Sequence, residues 1–295
     1  MVLPSFIHRP LLLGALIWLG ARVPSALAHP GVDEQIARLT ALIEKSPADA
    51  ELRLQRAEQF RLHAEFTNAL AEVAVAAKLK PGWPAPALTR ARIFSDSARW
   101  PEALAAAESF LAATPSHPEA LILRARSLAR LQRATEAVAD YSGALKLIPK
   151  PAPDLFLERA RTQAALGRFA DAVAGLDEGQ ARLGELVSLQ LPAIEYERAQ
   201  TKFAAALARV DRLLAHSSVK ETWLASRGEI LEQAGRLTEA RETFQRALAG
   251  LAEFPAAQRG REMNSELEQR LRAGLARTER RLALASTQPT ETHAR

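Results

Sequence analysis

The feature that most constrains the fold of this chain is a set of residues that recurs every 34 positions. Prolines stand at the ends of three successive tracts, at Pro81, Pro115 and Pro149. Two series of alanines keep the same spacing: Ala57, Ala91 and Ala125 in one, and Ala69, Ala103 and Ala137 in the other. A fixed period of this length, with small residues in two helical tracts per unit, predicts an array of helix–turn–helix units. We therefore expect an all-α fold, an α-solenoid of antiparallel helix pairs.

Composition favours the same fold class. Hydrophobic residues make up 48% of the 295 residues, but aromatic residues only 5%. A composition dominated by alanine and leucine suits close helix–helix contacts and disfavours a sheet-rich fold. The chain has no cysteine, which excludes disulfides, thiolate metal sites and a cysteine nucleophile. The formal net charge of +5 is too mild to indicate a nucleic-acid partner.

Three further units continue the pattern with departures. The second-helix alanines of the fourth, fifth and sixth units are Ala172, Ala206 and Ala240. Gly184 stands where the fourth unit would have its closing proline. The fifth unit departs most. Ile194 replaces the small first-helix residue, and Pro192 falls inside the expected first helix, where it should restart or kink that helix.

These units resemble tetratricopeptide repeats. That family has a small residue in the first helix, an alanine in the second, aliphatic or aromatic packing partners and a terminal proline. The match runs from about Pro47 to Leu251. The resemblance implies a right-handed superhelix whose first helices line a concave surface, where extended peptides or partner helices dock.

The chain divides into five predicted segments. Residues 1–28 read as a signal peptide, 33–46 as an N-terminal capping helix that starts near Asp33, and 47–252 as an array of about six repeats. Residues 256–284 form a predicted C-terminal capping helix, and 285–295 a flexible tail. The caps are expected because terminal repeats need a solvated outer face.

The signal-peptide interpretation depends on the first 28 residues. The apolar run Leu11–Leu19 is followed by Ala26-Leu27-Ala28, a small-residue cleavage site. We expect cleavage after Ala28 and a periplasmic or secreted product without stable membrane insertion. The alternative is an uncleaved N-terminal anchor that tethers the array to the membrane.

One face of the first helices carries a row of charged residues that we take as the candidate groove. The row consists of Glu58, Arg92, Arg126, Arg161, Glu195 and Glu229. Its three arginines form a basic stripe between acidic ends, which suits an acidic or carboxylate-bearing protein segment. The competing interpretation is a solvated face with local pairs such as Glu158 with Arg161.

A second arginine series precedes the small first-helix residues. Its members are Arg56, Arg90, Arg124, Arg159 and Arg227. Arginine is common there in the family, and its stem usually packs between helices. We interpret this series as structural.

The sequence contains no catalytic, cofactor-binding or metal-binding motif. The function expected is therefore a non-catalytic scaffold or adaptor that binds a protein or peptide partner in its concave groove, with no cofactor. The alternatives are the membrane-tethered adaptor and an accessory domain of an envelope enzyme or export complex.

Overall fold

The computed structural model describes residues 30–255 and 261–287. In that part of the chain all regular structure is helical. The fourteen helices are α1 (Pro30–Lys45), α2 (Ala50–Leu62), α3 (Phe66–Leu79), α4 (Ala85–Asp96), α5 (Trp100–Ala113), α6 (Pro118–Arg130), α7 (Ala134–Leu147), α8 (Pro153–Ala165), α9 (Phe169–Leu183), α10 (Val187–Ala199), α11 (Phe203–His216), α12 (Lys220–Gln233), α13 (Leu237–Ala252) and α14 (Glu262–Thr287).

The helices pack in the order in which they follow along the chain. Six pairs, from α2 with α3 to α12 with α13, form the units, and the second helix of each unit packs on the first helix of the next. Helix α1 covers the first unit and α14 covers the sixth. The prediction of an all-α solenoid of antiparallel helix pairs is confirmed.

The small residues that define the period lie at the closest helix–helix contacts. The alanines of both series are fully buried, including Ala57 and Ala69 of the first unit. In the sixth unit the first-helix position is Gly228, and a Cβ there would stand 2.5 Å from the ring of Phe244, 16 residues later. The equivalent pairs are Ala125 with Tyr141 and Ile194 with Val210. In these three units a larger first-helix residue accompanies a smaller second-helix one, and Val210 leaves the space that Ile194 fills in the fifth unit.

In all six units the turn between the two helices has one residue with a left-handed backbone conformation, always at the same position of the repeat. Positive φ angles occur at Ala64 (59°), Ala98 (56°), Gln132 (63°), Gly167 (72°), Thr201 (57°) and Gly235 (75°). Glycine adopts this conformation without strain, and other residues do so at a cost. Four of the six turns therefore carry some backbone strain.

Both capping helices differ in length from the prediction. Helix α1 already includes Pro30, the first described residue, so it does not start at Asp33, which lies in its first turn. Helix α14 continues to Thr287, so the predicted tail contributes its first three residues to the helix. The predicted signal peptide and the rest of the tail lie outside the described residues.

The expectation that Pro192 could restart the first helix of the fifth unit was wrong. Helix α10 runs through it without a break. A proline in a helix removes one hydrogen bond, here the one to the carbonyl of Ser188. The next two residues, Ala193 and Ile194, are buried against neighbouring helices, and this packing holds the helix together.

The hydrophobic core consists of three clusters along the solenoid. The first cluster belongs mainly to the first unit, and the second extends from Leu88 to Ala193. The third begins at Ile194 and ends on α14 at Leu271. The boundary between the last two clusters therefore runs through α10, in the fifth unit.

Candidate partner-binding groove

The six predicted groove residues occupy equivalent positions on α2, α4, α6, α8, α10 and α12. Each lies one residue after the small position of its first helix, so all six share one face of the array. Shallow depressions border this face at two places, one of about 430 Å³ beside Glu58 and one of about 500 Å³ beside Glu195. The face is therefore indented in the first and fifth units.

Charges at the N-terminal end of the row are balanced by ion pairs between units. Arg92 donates to Glu58 in the preceding unit at 2.7 Å and to both carboxylate oxygens of Glu119 in the following unit at 2.5 and 2.6 Å. The hydrogen bond from Arg92 lowers the pKa of Glu119. Glu58 also accepts from Arg61, which reaches across to Asp96. The structure thus brings two predicted groove residues into direct contact, inside a continuous charged ladder.

Arg126 is paired in the same way. It donates two hydrogen bonds to Glu158 of the fourth unit, at 2.9 and 2.8 Å. Burial raises the pKa of the adjacent Tyr141 phenol, and the charge on Glu158 adds to that effect. The predicted local pair of Glu158 with Arg161 was wrong, because the carboxylate faces the preceding unit.

The ladder is interrupted at Arg161 and Glu195. Within the described part of the chain Arg161 has no ion-pair partner, and Glu195 meets only Arg198, at 4.0 Å, with its side chain 71% exposed. Arg161 lies near Tyr196. Burial raises the pKa of the Tyr196 phenol, and the positive charge of Arg161 offsets only part of that rise. The middle of the row therefore presents one cation and one anion to solvent.

Glu229 closes the row at its C-terminal end. It accepts two hydrogen bonds from Arg270 on α14, at 2.6 and 2.7 Å. Four of the six predicted residues are therefore paired inside the protein. Sequence reasoning did not find the partners Glu119 and Arg270; the only available signal was a charge opposite to that of the groove residue on a neighbouring helix.

The second arginine series bonds across the two helices of a unit in four units, in the sixth through Arg227 and Thr243 at 3.1 Å. Arg56 binds Glu72 at 2.5 Å, and Arg124 binds both oxygens of Asp140 at 2.6 and 2.7 Å, in each case 16 residues later on the second helix. Arg159 reaches Glu178 at 2.6 Å. These pairs join the two helices of one unit.

The fifth unit reverses this arrangement. Ala193 replaces the first-helix arginine, and Arg209 stands on the second helix where the first and third units have an acid. Arg209 donates to Glu197 at 2.9 Å, to Asp177 of the fourth unit at 2.8 and 2.9 Å, and to Gln190 at 3.0 Å. Its side chain is only 8% exposed.

No helix in the described ranges has the length and apolar character of a membrane span. The same ranges contain no group of three or more histidine, aspartate or glutamate side chains arranged to hold a metal ion. The chemistry visible on the candidate face is that of charge pairing and hydrogen bonding.

Comparison with known proteins agrees with the repeat geometry. A family model described as tetratricopeptide repeat matches residues 88–155 and 191–258. The chain belongs to the tetratricopeptide repeat family. Such arrays generally act as protein-interaction scaffolds. A comparison with curated protein sequences found no match.

Solved tetratricopeptide repeat structures share the fold at low sequence identity. The C-terminal part of a repeat protein from Cytophaga hutchinsonii aligns with a TM-score of 0.61 and 13% identity, over 74% of this chain and 90% of that one. A repeat protein from Parabacteroides merdae aligns with a TM-score of 0.51 and 18% identity, over 82% and 93%. PilW, described as a type IV pilus biogenesis factor, aligns with a TM-score of 0.54 and 21% identity, over 66% and 91%.

Proposed function

We propose that this tetratricopeptide repeat protein is a non-catalytic scaffold, exported to the periplasm or beyond, that binds a protein or peptide segment along its first-helix face. The family relation supports a protein partner. Solenoids present extended concave surfaces that suit such partners. The continuous row of charged side chains on that face supports its use as the binding surface.

The observation that carries the proposal is the interruption of the charged ladder at Arg161 and Glu195. Elsewhere in the row, inter-unit ion pairs already satisfy the charges, so a partner would have to break them. A partner carboxylate can bind Arg161 without that cost, and a guanidinium matches a carboxylate in shape and charge. The docked segment therefore has an acidic residue opposite Arg161.

Export is proposed on the basis of residues 1–28. Their apolar run is far shorter than the roughly 20 residues that span a bilayer, and it ends at a small-residue cleavage site. N-terminal sequencing of the exported protein tests this directly. A start at His29 supports cleavage; a start at Met1 supports the membrane-tethered adaptor.

Site-specific crosslinking in the native envelope tests the groove. A photoreactive residue replaces Glu195 on the proposed face or, as the matched control, Ala139, which is exposed on second helix α7. We expect one discrete crosslinked partner from position 195, none from 139, and loss of the product when Arg161→Glu is added. Equal products from both positions, or a product that Arg161→Glu leaves unchanged, would contradict the proposal.

A further inference from the structure

A cavity of about 350 Å³ opens beside the fifth unit, at the edge where second helices end and first helices begin. It lies between the start of α10, the end of α11 and the start of α12. Leu186, Leu213 and Trp223 form its apolar wall. Helices α10 and α12 make little direct contact, as do α6 and α8, whereas α8 and α10 touch. The cavity is therefore a gap between successive first helices.

The gap coincides with the missing closing prolines. Counting 12 residues from the second-helix alanine reaches Pro149 in the third unit, but Gly184 and Ser218 in the fourth and fifth. Ser218 itself lines the cavity, as does Glu185, the neighbour of Gly184. Two units that lack the proline thus border the opening on both sides.

In earlier units the corresponding corners are filled by side chains of the protein. Lys80 stacks over Trp83 at 4.5 Å, and Phe110 packs edge-on against His117 at 4.9 Å. Arg182 closes the next corner by donating to two backbone carbonyls at the end of α7, at 3.0 and 2.6 Å. The residue equivalent to Arg182 in the fifth unit is His216, which is exposed and lines the cavity.

Apolar surface continues outward from the cavity. Val187 and Leu191, one turn apart on α10, are each 47% exposed. The position of Leu191 is buried in the first two units, where Leu54 is 8% exposed and Leu88 is 9% exposed. Val219, next to Ser218, is 51% exposed. Leu191 therefore lacks the covering that the equivalent residues have in those two units.

The polar lining provides donors without partners. Arg212 lines the cavity and has no ion pair within the described residues. Gln190 is only 6% exposed, and its Oε1 accepts from Arg209 at 3.0 Å. Its Nε2 donates to no protein group described here. A guanidinium and an amide N–H without a protein partner therefore line the same small space, together with the carboxylate of Glu185.

We propose that this cavity binds the C-terminal residue of a partner peptide, with an apolar side chain against Trp223 and the terminal carboxylate on Arg212 and Gln190 Nε2. A terminal residue carries both groups on one α-carbon, and the cavity is at the small end of ligand sites. Upstream residues lie over Val187 and Leu191. Because Glu185 repels additional acidic side chains, this site differs in specificity from the groove.

Calorimetry with two short peptides tests the site on the full chain. One probe is acetyl-Ser-Ala-Leu-Leu with a free carboxyl end, and the other is the same peptide with a C-terminal amide. We expect the acid to bind about tenfold more tightly than the amide, since charge-assisted hydrogen bonds are lost in the amide. Arg212→Gln should weaken the acid about tenfold to the level of the amide.

Two further variants keep the test decisive. Val187→Asp places a repelling charge at the rim, at the first residue of α10 where an acid does not disturb the helix; it should abolish binding while the melting temperature is retained. Arg161→Gln, in the groove, should leave peptide binding unchanged. Equal affinity for acid and amide, no binding of the acid at millimolar concentration, or no effect of Arg212→Gln would overturn the proposal.

Discussion

In the third unit Arg124 on the first helix binds Asp140 on the second, whereas in the fifth unit the arginine is Arg209 on the second helix and Glu197 is the acid on the first. Both pairs join the helices of one unit. The third unit is closed by Pro149 and lies within one core cluster. The fifth has no closing proline, divides the core and borders a cavity. The comparison shows that a charge pair across the two helices of a unit can run in either direction.

The largest expected effect concerns the reversed pair. Arg209→Met leaves Glu197, with a side chain 6% exposed, and Asp177 without their cation, and it should cost about 3–5 kcal/mol. Arg124→Met removes the partner of a single carboxylate and should cost less. Urea unfolding followed by circular dichroism measures both. A loss below about 1 kcal/mol for Arg209→Met would show that the pair does not hold the fifth unit together.

The next prediction exchanges residues at the small first-helix position. Ile194→Ala should cost about 2–5 kcal/mol, because Val210 opposite is too small to fill the space. Ala125→Ile, against the larger Tyr141, should cost about 1–3 kcal/mol through overpacking. The same unfolding measurement applies. If either change were neutral, the proposed compensation of volumes between the two helices would be wrong.

A smaller effect is expected in the turns. Thr201→Gly should stabilise the protein by about 0.5–1 kcal/mol, because relief of the left-handed strain exceeds the entropy that glycine costs. Gln132→Gly in the third unit should gain less, since glutamine is not β-branched. A lowered melting temperature for Thr201→Gly would mean that the threonine makes a compensating contact.

The smallest prediction concerns the pH dependence of the ladder. The pKa of Glu119 in the folded protein lies below its ordinary value of 4.5, so the pair with Arg92 stabilises the fold above that pH and the contribution is lost as the pH falls through the lowered pKa. The melting-temperature difference between wild type and Arg92→Gln should therefore shrink with acidification. The melting-temperature difference between wild type and Arg161→Gln should not change with pH. If it also shrank on acidification, Arg161 would have a carboxylate partner in the folded protein.

The fold was predictable because its determinant is local and repeated. Alanines such as Ala69 and Ala137 recur at a constant interval, and the interval alone specifies where helices can approach. The positions of the groove residues on one face followed from the same count. Their pairing did not, because Arg126 meets Glu158 across 32 residues at an offset set by the angle between units.

The cavity was less accessible to sequence reasoning. Its signals were the glycine at Gly184 and the serine at Ser218, where earlier units have proline. A missing proline does not reveal whether a neighbouring side chain fills the corner, as Arg182 does one unit earlier. The sequence shows an arginine at position 209 on a second helix, where the third unit has an acid. It does not show the three residues that accept from Arg209, because they come from two units.

The most direct test of the account is the removal of one complete unit. Deletion of residues 116–149 joins Pro115 to Lys150 and takes out 34 residues, so the remaining helices keep their order. If each unit contacts only its neighbours, the shortened chain should unfold cooperatively, with a far-UV circular dichroism signal per residue like that of wild type. Deletion of residues 116–132 alone, half a period, should give a chain without a cooperative transition. Loss of folded structure in the 34-residue deletion, or equal behaviour of the two deletions, would contradict the claim that the period builds the molecule.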